Sequence, residues 1–327
     1  MPSRVVPSTA RPALVRAARR ADDDYGAPGQ PDWRTVDWPA HLHDVEIDGR
    51  RVHYADLGEG DDPPVVFVHG LAGCWQNFLE NLPDTAQRRR AIALDLPGFG
   101  RSELSPGEVS ITNYAGTVER LCDALELGPV VAVGNSMGGF VAADLALHFP
   151  ARVERLALVA AAGISHADLR REPVRTIMRV GAEVATLGAR RIEWFLTRPR
   201  LRQAAYAWVV RHPTRLAPDL LWEQAQGQGA PAYMLAIDAI AGYDFRDRLP
   251  EIGCPTLVVQ GTDDMVVPLR DAYEFERLIP RSKTLIMRDT GHLPMLERAA
   301  TFNRALREFV DAPAAEAAPP GEQVVEA

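Results

Sequence analysis

Short apolar runs alternate with amphipathic segments along most of this chain. Six largely apolar runs of four to six residues share this character, and they have the sequences VVFV (65–68), AIALD (91–95), VVAVG (130–134), RLALVA (155–160), TLVVQG (256–261) and TLIMR (284–288). A short continuous apolar run is typical of a strand that is buried on both faces of a sheet. The stretches between them show helical spacing, with apolar side chains at every third or fourth position from Tyr114 to Leu125. This alternation predicts a mostly parallel sheet with helices on both faces.

The first element of the sheet is predicted to be an antiparallel hairpin. Residues 43–58, HDVEIDGRRVHYADLG, contain two alternating runs on either side of Asp48-Gly49, a strong signal for a two-residue turn. Two hairpin strands and six apolar runs together predict a sheet of about eight strands. Further helices are predicted directly after the third apolar run (137–150) and near the end of the fold (301–310).

One interval breaks this alternation. About 95 residues separate Ala160 from Thr256, whereas a crossover between parallel strands needs only about a dozen. The interval has helical patterns and many aromatic residues, so we expect a helical insertion that lies over the sheet. Trp194, Phe195 and Trp208 lie within it and are candidates for lining an apolar substrate pocket.

The two ends of the chain differ in composition from the rest. Residues 1–40 are rich in Arg and Pro, and residues 311–327 are rich in Ala, Pro and Glu. Segments of this composition can bury little apolar surface, so the first is predicted to be a flexible extension and the second a disordered tail. The N-terminal segment lacks the continuous apolar core of a secretory signal.

Composition and charge narrow the classes of function. The 327 residues are 46% hydrophobic and 24% charged, which is typical of a globular protein with a large core. The net charge of −8 argues against binding to nucleic acid. No apolar run approaches the ~18 residues of a membrane span, and membrane contact is not expected. The three Cys residues do not resemble a disulfide framework and predict a reducing, cytoplasmic location.

The segment Gly134-Asn135-Ser136-Met137-Gly138 is the first candidate for chemistry. It matches G-x-S-x-G and lies between a predicted strand and a predicted helix, which is the context of a nucleophile elbow. In such a turn the Ser hydroxyl projects away from the backbone, and the helix presents its unpaired N–H groups to the site. The alternative is a tight turn in which Ser136 has no chemical role.

A nucleophilic Ser needs a base and a group that orients the base. Two acids, Asp263 and Asp264, follow the strand TLVVQG, and His292 follows the strand TLIMR. The carboxyl ends of parallel strands meet at one edge of the sheet, so one of the two acids and His292 are expected near Ser136. Six other histidines lack this placement and are interpreted as surface or packing residues: His41, His43, His53, His148, His166 and His212.

The developing oxyanion needs backbone N–H donors. The N–H of Met137 is one candidate, and that of Leu71, in the loop HGLAGCW after the first apolar run, is the other. His69 is interpreted as shaping this loop, and Cys74 as a packing residue. No His/Cys/carboxylate cluster has the spacing of metal ligands, so neither a metal nor another cofactor is expected.

Five segments in order along the chain resemble the α/β-hydrolase family. They are VVFVHGLAG, ALDLPGFGRS, VVAVGNSMGG, PTLVVQGTDDMVVP and DTGHLPMLE. They appear in family order between about Asp44 and Val310, so the resemblance covers most of the chain. The resemblance implies a core of residues 41–163 and 244–310 and a helical cap of residues 164–243. It also implies a triad of Ser136, Asp264 and His292, with Asp263 as the less favoured acid.

The residue at position 136 excludes some relatives. Haloalkane dehalogenase-like and epoxide hydrolase-like members use Asp as nucleophile, whereas this chain has Ser136. GNSMGG occurs in esterases, in haloperoxidase-like members and in members that cleave carbon–carbon bonds. Carbon–carbon hydrolases tend to carry an aromatic residue after the His, and Leu293 departs from that pattern.

The resulting hypothesis is a cofactor-free serine hydrolase that cleaves a carboxylic ester, or a similar carbonyl-centred bond, of a small to medium apolar substrate through an acyl-enzyme. The aromatic insertion favours such a substrate. Two alternatives stay open: a carbon–carbon hydrolase of a ring-cleavage product, and a ligand-binding protein on a hydrolase scaffold. A monomer and a homodimer are both compatible with the sequence.

Overall fold

A computed structural model describes residues 22–165, 196–241 and 243–313. Its centre is a sheet of eight strands. The strands are β1 (Leu42–Ile47), β2 (Arg50–Leu57), β3 (Val65–Val68), β4 (Ala91–Leu94), β5 (Val130–Asn135), β6 (Val153–Val159), β7 (Thr256–Gly261) and β8 (Ser282–Met287). Each predicted strand is therefore present, with ends that differ from the predictions by at most a few residues.

The strand order is β1-β2-β4-β3-β5-β6-β7-β8. β2 runs antiparallel to β1 and β4, and all other neighbours are parallel. The hairpin turns at Asp48 and Gly49, both of which have positive φ (53° and 71°), as a tight two-residue turn requires. The predicted mostly parallel sheet with an N-terminal hairpin is confirmed.

Helices cover both faces of the sheet. The α-helices within the described residues are α1 (Trp38–His41), α2 (Leu82–Ala86), α3 (Ile111–Ala124), α4 (Met137–His148), α5 (Pro199–Tyr206), α6 (Pro218–Gln224), α7 (Tyr233–Ile240), α8 (Leu269–Leu278), α9 (Pro294–Glu297) and α10 (Ala299–Asp311). None of these described helices has the length and apolar character needed to cross a bilayer. The helices predicted at 137–150 and 301–310 correspond to α4 and α10.

The period-two geometry of the strands divides the core into two layers. Val66 and Val68 of β3 join the cluster that contains α3 and α4, whereas Val65 and Phe67 join the cluster that contains α10. Because successive strand residues point to opposite faces, a strand buried on both sides is apolar at most of its positions. This requirement explains why VVFV has no alternation of polar and apolar residues.

The described part of the insertion packs over the loops at the carboxyl ends of β3 and β4. Gly227 lies against the backbone of Gly73, since a Cβ on Gly227 would come within 2.4 Å of it. Ala232, just before α7, similarly contacts Gly98. Residues of the insertion thus contact the loops that follow β3 and β4. Residues 166–195, including Trp194 and Phe195, lie outside the described residues, so the bounds of the cap stay a prediction.

Residues 22–40 differ from the flexible extension expected there. Tyr25 is 2% exposed and Trp33 is 8% exposed, and the Trp33 Nε1 donates a hydrogen bond of 3.1 Å to Glu80. Two aromatic side chains bury enough apolar surface to order a segment whose average composition predicts disorder. Residues 1–21 and 314–327 lie outside the described residues.

Candidate active site

Ser136 occupies the single position between β5 and α4. Its φ of 56° and ψ of −119° form a strained backbone conformation that is rare for a residue with a Cβ. Hydrogen bonds hold the strain: Ser136 N donates to the Val159 carbonyl at 3.0 Å, and Ala162 N donates to the Ser136 carbonyl at 3.0 Å. Strain of this kind persists only where the surrounding structure supports it, and it is concentrated at functional sites.

The glycines on either side of Ser136 are required by close packing. A Cβ on Gly134 would come within 2.1 Å of the Gly138 carbonyl oxygen. A Cβ on Gly138 would come within 2.0 Å of the Val68 carbonyl oxygen, at the end of β3. Both distances are far below a van der Waals contact, so the G-x-S-x-G pattern follows from the geometry of this turn.

Asp264 and His292 form a hydrogen-bonded pair. His292 Nδ1 lies 2.8 Å from Asp264 Oδ2, and both side chains are buried. Asp264 Oδ1 accepts from the backbone N–H groups of Val266 (2.7 Å) and Val267 (2.9 Å). A carboxylate can only accept, so the proton of the pair resides on Nδ1 and leaves Nε2 free to act as a base.

The environment of Asp264 keeps it ionised. Burial acts to raise the pKa of Asp264, but the charge and hydrogen bond of His292 and the two backbone N–H groups outweigh it, so the pKa lies below its ordinary value. Asp263, the other candidate acid, accepts instead from Thr262 Oγ1 at 2.8 Å and lies 3.4 Å from Arg211 Nε. The structure therefore pairs His292 with Asp264.

Asn135 connects the His292 loop to the Ser136 turn. Its Nδ2 donates to the His292 carbonyl at 3.3 Å and to the Val159 carbonyl at 3.1 Å. Within the described residues the Ser136 hydroxyl makes no hydrogen bond.

The loop that carries Leu71 passes directly beside Ser136. A Cβ on Gly70 would lie 3.0 Å from the Ser136 Cβ, so only glycine fits at this position without a shift. Met137 is the first residue of α4, where N–H groups have no partner within the helix. Leu71 thus follows a residue that lies against Ser136, and Met137 follows Ser136 in sequence; their role as oxyanion donors stays a prediction.

His69 holds this loop through both ring nitrogens. Its Nε2 accepts from Leu96 N at 3.0 Å, which places the proton on Nδ1, and Nδ1 donates to the Gly70 carbonyl at 2.7 Å. The side chain is fully buried, and burial lowers the pKa of His69 from 6.5 to about 4, although the bond to Gly70 acts in the opposite direction. His69 is therefore a neutral structural residue, as expected.

The buried His69 predicts a specific loss of stability in acid. The unfolded chain binds a proton at this residue below pH 6.5 and the folded chain only below about pH 4. The free energy of unfolding is then unaffected by His69 above pH 6.5 and falls by about 3 kcal/mol as the pH drops to 4. Urea unfolding at several pH values, compared between wild type and His69→Gln, measures this slope. Parallel curves for the two proteins would contradict the prediction, and His43→Gln serves as an exposed control.

Trp208, the third predicted substrate-binding residue, directly precedes Val209, whose backbone contacts that of His292. The carbonyl of Val209 accepts the His292 N–H at 2.8 Å, and the Trp208 indole is 54% exposed. Met265, directly after Asp264, is 56% exposed as well. Each of these exposed apolar residues is thus one position along the chain from a residue that is in, or bonds to, the Asp264–His292 pair.

The sequence analysis did not identify three residues that bond to or near the His292 loop. Asn135 and Glu297 are buried and bond to the His292 loop, and Tyr25 bonds to Glu297. A carboxylate in the apolar segment LPMLERAA was a signal that could have identified Glu297. Tyr25 had no comparable signal. Among the described residues no group of three or more His, Cys, Asp or Glu side chains could hold a metal ion.

Comparisons with known proteins agree with this architecture. A sequence model of the alpha/beta hydrolase fold matches residues 63–299. The chain is 30% identical to the dihydrolipoyllysine-residue acetyltransferase component of an acetoin cleaving system from Cupriavidus necator, covering 94% of this chain and 80% of the relative. It is 29% identical to a 2-hydroxy-6-oxo-2,4-heptadienoate hydrolase from Pseudomonas putida, covering 81% of this chain and 94% of the relative.

A solved structure extends the similarity to three dimensions. A thermophilic esterase from Thermogutta terrifontis aligns with a TM-score of 0.65 at 26% identity, covering 85% of this chain and all of the esterase chain. The sequence match to the fold spans residues 63–299, which is well over half of the 327 residues. The chain therefore belongs to the α/β-hydrolase family.

Proposed function

We propose that this protein is a serine hydrolase that cleaves a carboxylic ester of a small to medium apolar molecule through an acyl-enzyme. The observation that carries the proposal is the strained turn at Ser136, placed beside a loop of backbone donors and tied to the buried Asp264–His292 pair. A turn without chemical function would have no need for a strained Ser, an ionised buried acid and an oriented imidazole in one place.

In the first half of the reaction, His292 Nε2 removes the proton of Ser136 while the Ser136 oxygen attacks the ester carbonyl carbon. The N–H groups of Leu71 and Met137 stabilise the negative oxygen of the tetrahedral intermediate. The intermediate then collapses, its carbon–oxygen bond to the alcohol breaks, and His292 donates its proton to the departing alkoxide. The alcohol leaves, and an acyl group remains on Ser136.

In the second half, water takes the place of the alcohol. His292 removes a proton from water, the resulting hydroxide attacks the acyl carbon, and the Ser136 oxygen leaves with the proton returned by His292. Asp264 keeps the imidazole in the Nδ1–H tautomer and stabilises its protonated form in both halves. The apolar residues beside the pair, Trp208, Met265 and Leu293, support an apolar acyl or alcohol group.

A second candidate is hydrolysis of a carbon–carbon bond in a ring-cleavage product. The similarity to the 2-hydroxy-6-oxo-2,4-heptadienoate hydrolase favours it. Leu293 after His292 argues against it, as does the esterase similarity. A ligand-binding protein on the same scaffold is the third candidate, but such a role does not need an oriented base.

Substrate profiling distinguishes these candidates. We expect turnover of p-nitrophenyl esters from acetate to octanoate, with kcat/KM rising with acyl length because each added methylene buries apolar surface, by up to roughly tenfold per group. We also expect slower turnover of a coloured 2-hydroxy-6-oxo-dienoate at equal concentration. Faster dienoate cleavage would favour the carbon–carbon hydrolase, and tight binding of these compounds without turnover would favour the binding protein.

A further inference from the structure

Glu297 is a buried carboxylate beside the proposed base. It lies at the end of α9, is fully buried, and has four hydrogen-bond donors around it. Oε1 accepts from Leu293 N at 3.1 Å, and Oε2 accepts from Gly291 N at 2.9 Å, from Arg211 N at 2.8 Å and from the Tyr25 hydroxyl at 2.5 Å. Burial raises the pKa of Glu297 above its ordinary value, and the four hydrogen bonds act in the opposite direction. Since all four partners donate, the arrangement matches an ionised carboxylate.

Two of these donors flank His292 directly. Glu297 holds the N–H before and the N–H after His292, while the His292 N–H itself donates to Val209 O at 2.8 Å. Three consecutive backbone N–H groups are therefore bound, and Asn135 binds the carbonyl of the middle residue. The position of the imidazole relative to Ser136 depends on this set of bonds.

Tyr25 brings the N-terminal segment into the same network. Its hydroxyl donates to Glu297 and accepts from His212 N at 2.8 Å, and Gly26 N donates to the Glu297 carbonyl at 2.8 Å. The Tyr25 ring packs edge-on against His212, with ring centroids 4.8 Å apart. Burial and the nearby Glu297 raise the pKa of Tyr25 well above its ordinary value, so the phenol keeps the proton that it donates.

The two roles of the Tyr25 hydroxyl join elements that are far apart in sequence. One bond reaches the loop of His292, and the other reaches residue 212, three positions beyond the carbonyl of Val209 that holds His292. Tyr25 thereby links both elements that bind the His292 backbone. It lies outside residues 63–299, which match the family model.

We propose that Tyr25 is a positioning residue that fixes His292 for catalysis through Glu297 and the 209–212 segment. The proposal rests on the proposed role of His292 as the base. Phe at position 25 would keep the ring packing and remove only the hydroxyl. Glu297 would then lose its one side-chain donor among the described residues. The His212 N–H would lose its acceptor, and the His292 loop would gain freedom.

The test compares Tyr25→Phe with the matched control Tyr273→Phe, whose ring is 42% exposed on α8. For Tyr25→Phe we expect kcat for a p-nitrophenyl ester to fall about tenfold with KM within about twofold, because misplacing a catalytic group lowers kcat without removing binding contacts. Glu297→Gln places an amide N–H₂ against backbone donors, so its kcat should fall further than that of Tyr25→Phe. Assays are made well below the melting temperature of each variant. If Glu297→Gln does not fold, Tyr25→Phe decides.

A second readout does not depend on turnover. The proton between His292 Nδ1 and Asp264 should give a downfield ¹H NMR resonance, assigned by its loss in His292→Ala. We expect this resonance to shift or broaden in Tyr25→Phe and to stay unchanged in Tyr273→Phe. A lower melting temperature with unchanged kcat and an unchanged resonance would overturn the proposal. If the wild type hydrolyses no ester, the proposed function fails, and the resonance alone decides whether Tyr25 positions His292.

Discussion

The Ser136→Ala protein is expected to fold normally and to lose ester hydrolysis by roughly 10³-fold or more in kcat. The strained backbone at this position is held by hydrogen bonds of its own N–H and carbonyl, neither of which involves the hydroxyl. Removing the hydroxyl therefore removes the attacking atom and leaves the turn in place. Covalent labelling by a fluorophosphonate, measured by the mass of the intact protein, should disappear together with turnover.

A matched variant separates this effect from the general consequences of replacing a serine. Ser105→Ala changes a serine in the loop before α3 and should retain labelling and turnover. Equal melting temperatures for wild type and Ser136→Ala would show that the fold is intact. Labelling or ester turnover that survives in Ser136→Ala would rule out Ser136 as the nucleophile.

The Asp264→Asn protein is expected to lose about 10³- to 10⁴-fold in kcat, as in other enzymes with a Ser–His–Asp arrangement. An Asn side chain would direct its oxygen to the N–H groups of Val266 and Val267, because both must be satisfied. Its N–H₂ group would then face His292 Nδ1 and require Nδ1 to accept. The proton would move to Nε2, and the imidazole could no longer take a proton from Ser136.

The neighbouring acid provides the control for this experiment. Asp263→Asn removes a charge that lies 3.4 Å from Arg211 and does not touch His292. Partly exposed ion pairs contribute at most about 1 kcal/mol, so turnover by Asp263→Asn should stay within a few-fold of wild type. Comparable losses in the two variants, with both proteins folded, would contradict the assignment of Asp264 as the orienting acid.

Local patterns in the sequence were sufficient to predict the elements of the fold. A strand buried on both faces is mostly apolar, so VVFV and its five largely apolar counterparts identified the parallel strands. The turn at Ser136 was also predictable, since a sharp strand-to-helix turn accepts only small neighbours and GNSMG supplies them. Such constraints act between residues close in sequence, and a short segment displays them.

The choice between Asp263 and Asp264 could not be made from the residues themselves. Both follow β7, and both are carboxylates that could reach a neighbouring loop. The family spacing implied Asp264, and the structure shows the physical reason. The backbone N–H groups of Val266 and Val267 hold Asp264 toward His292, while Arg211, from the distant insertion, lies beside Asp263.

The N-terminal segment shows where a prediction from composition fails. Its composition predicted flexibility, yet Tyr25 and Trp33 are buried against partners far along the chain, at Glu297 and Glu80. A prediction from composition averages over the whole segment. The ordered conformation of residues 22–40 depends instead on two aromatic side chains that are buried and bond to acceptors distant in sequence.

The sequence by itself determined the strands, the hairpin and the helix after Ser136, and it supplied the candidate residues for the proposed acyl transfer. Each follows from apolar periodicity or from steric limits that operate within a few residues. Only the tertiary structure decided which acid orients His292, which loops surround Ser136 and that Tyr25 binds to Glu297. These outcomes depend on hydrogen bonds and packing between segments distant in sequence, whose meeting is set by the folding of the whole chain.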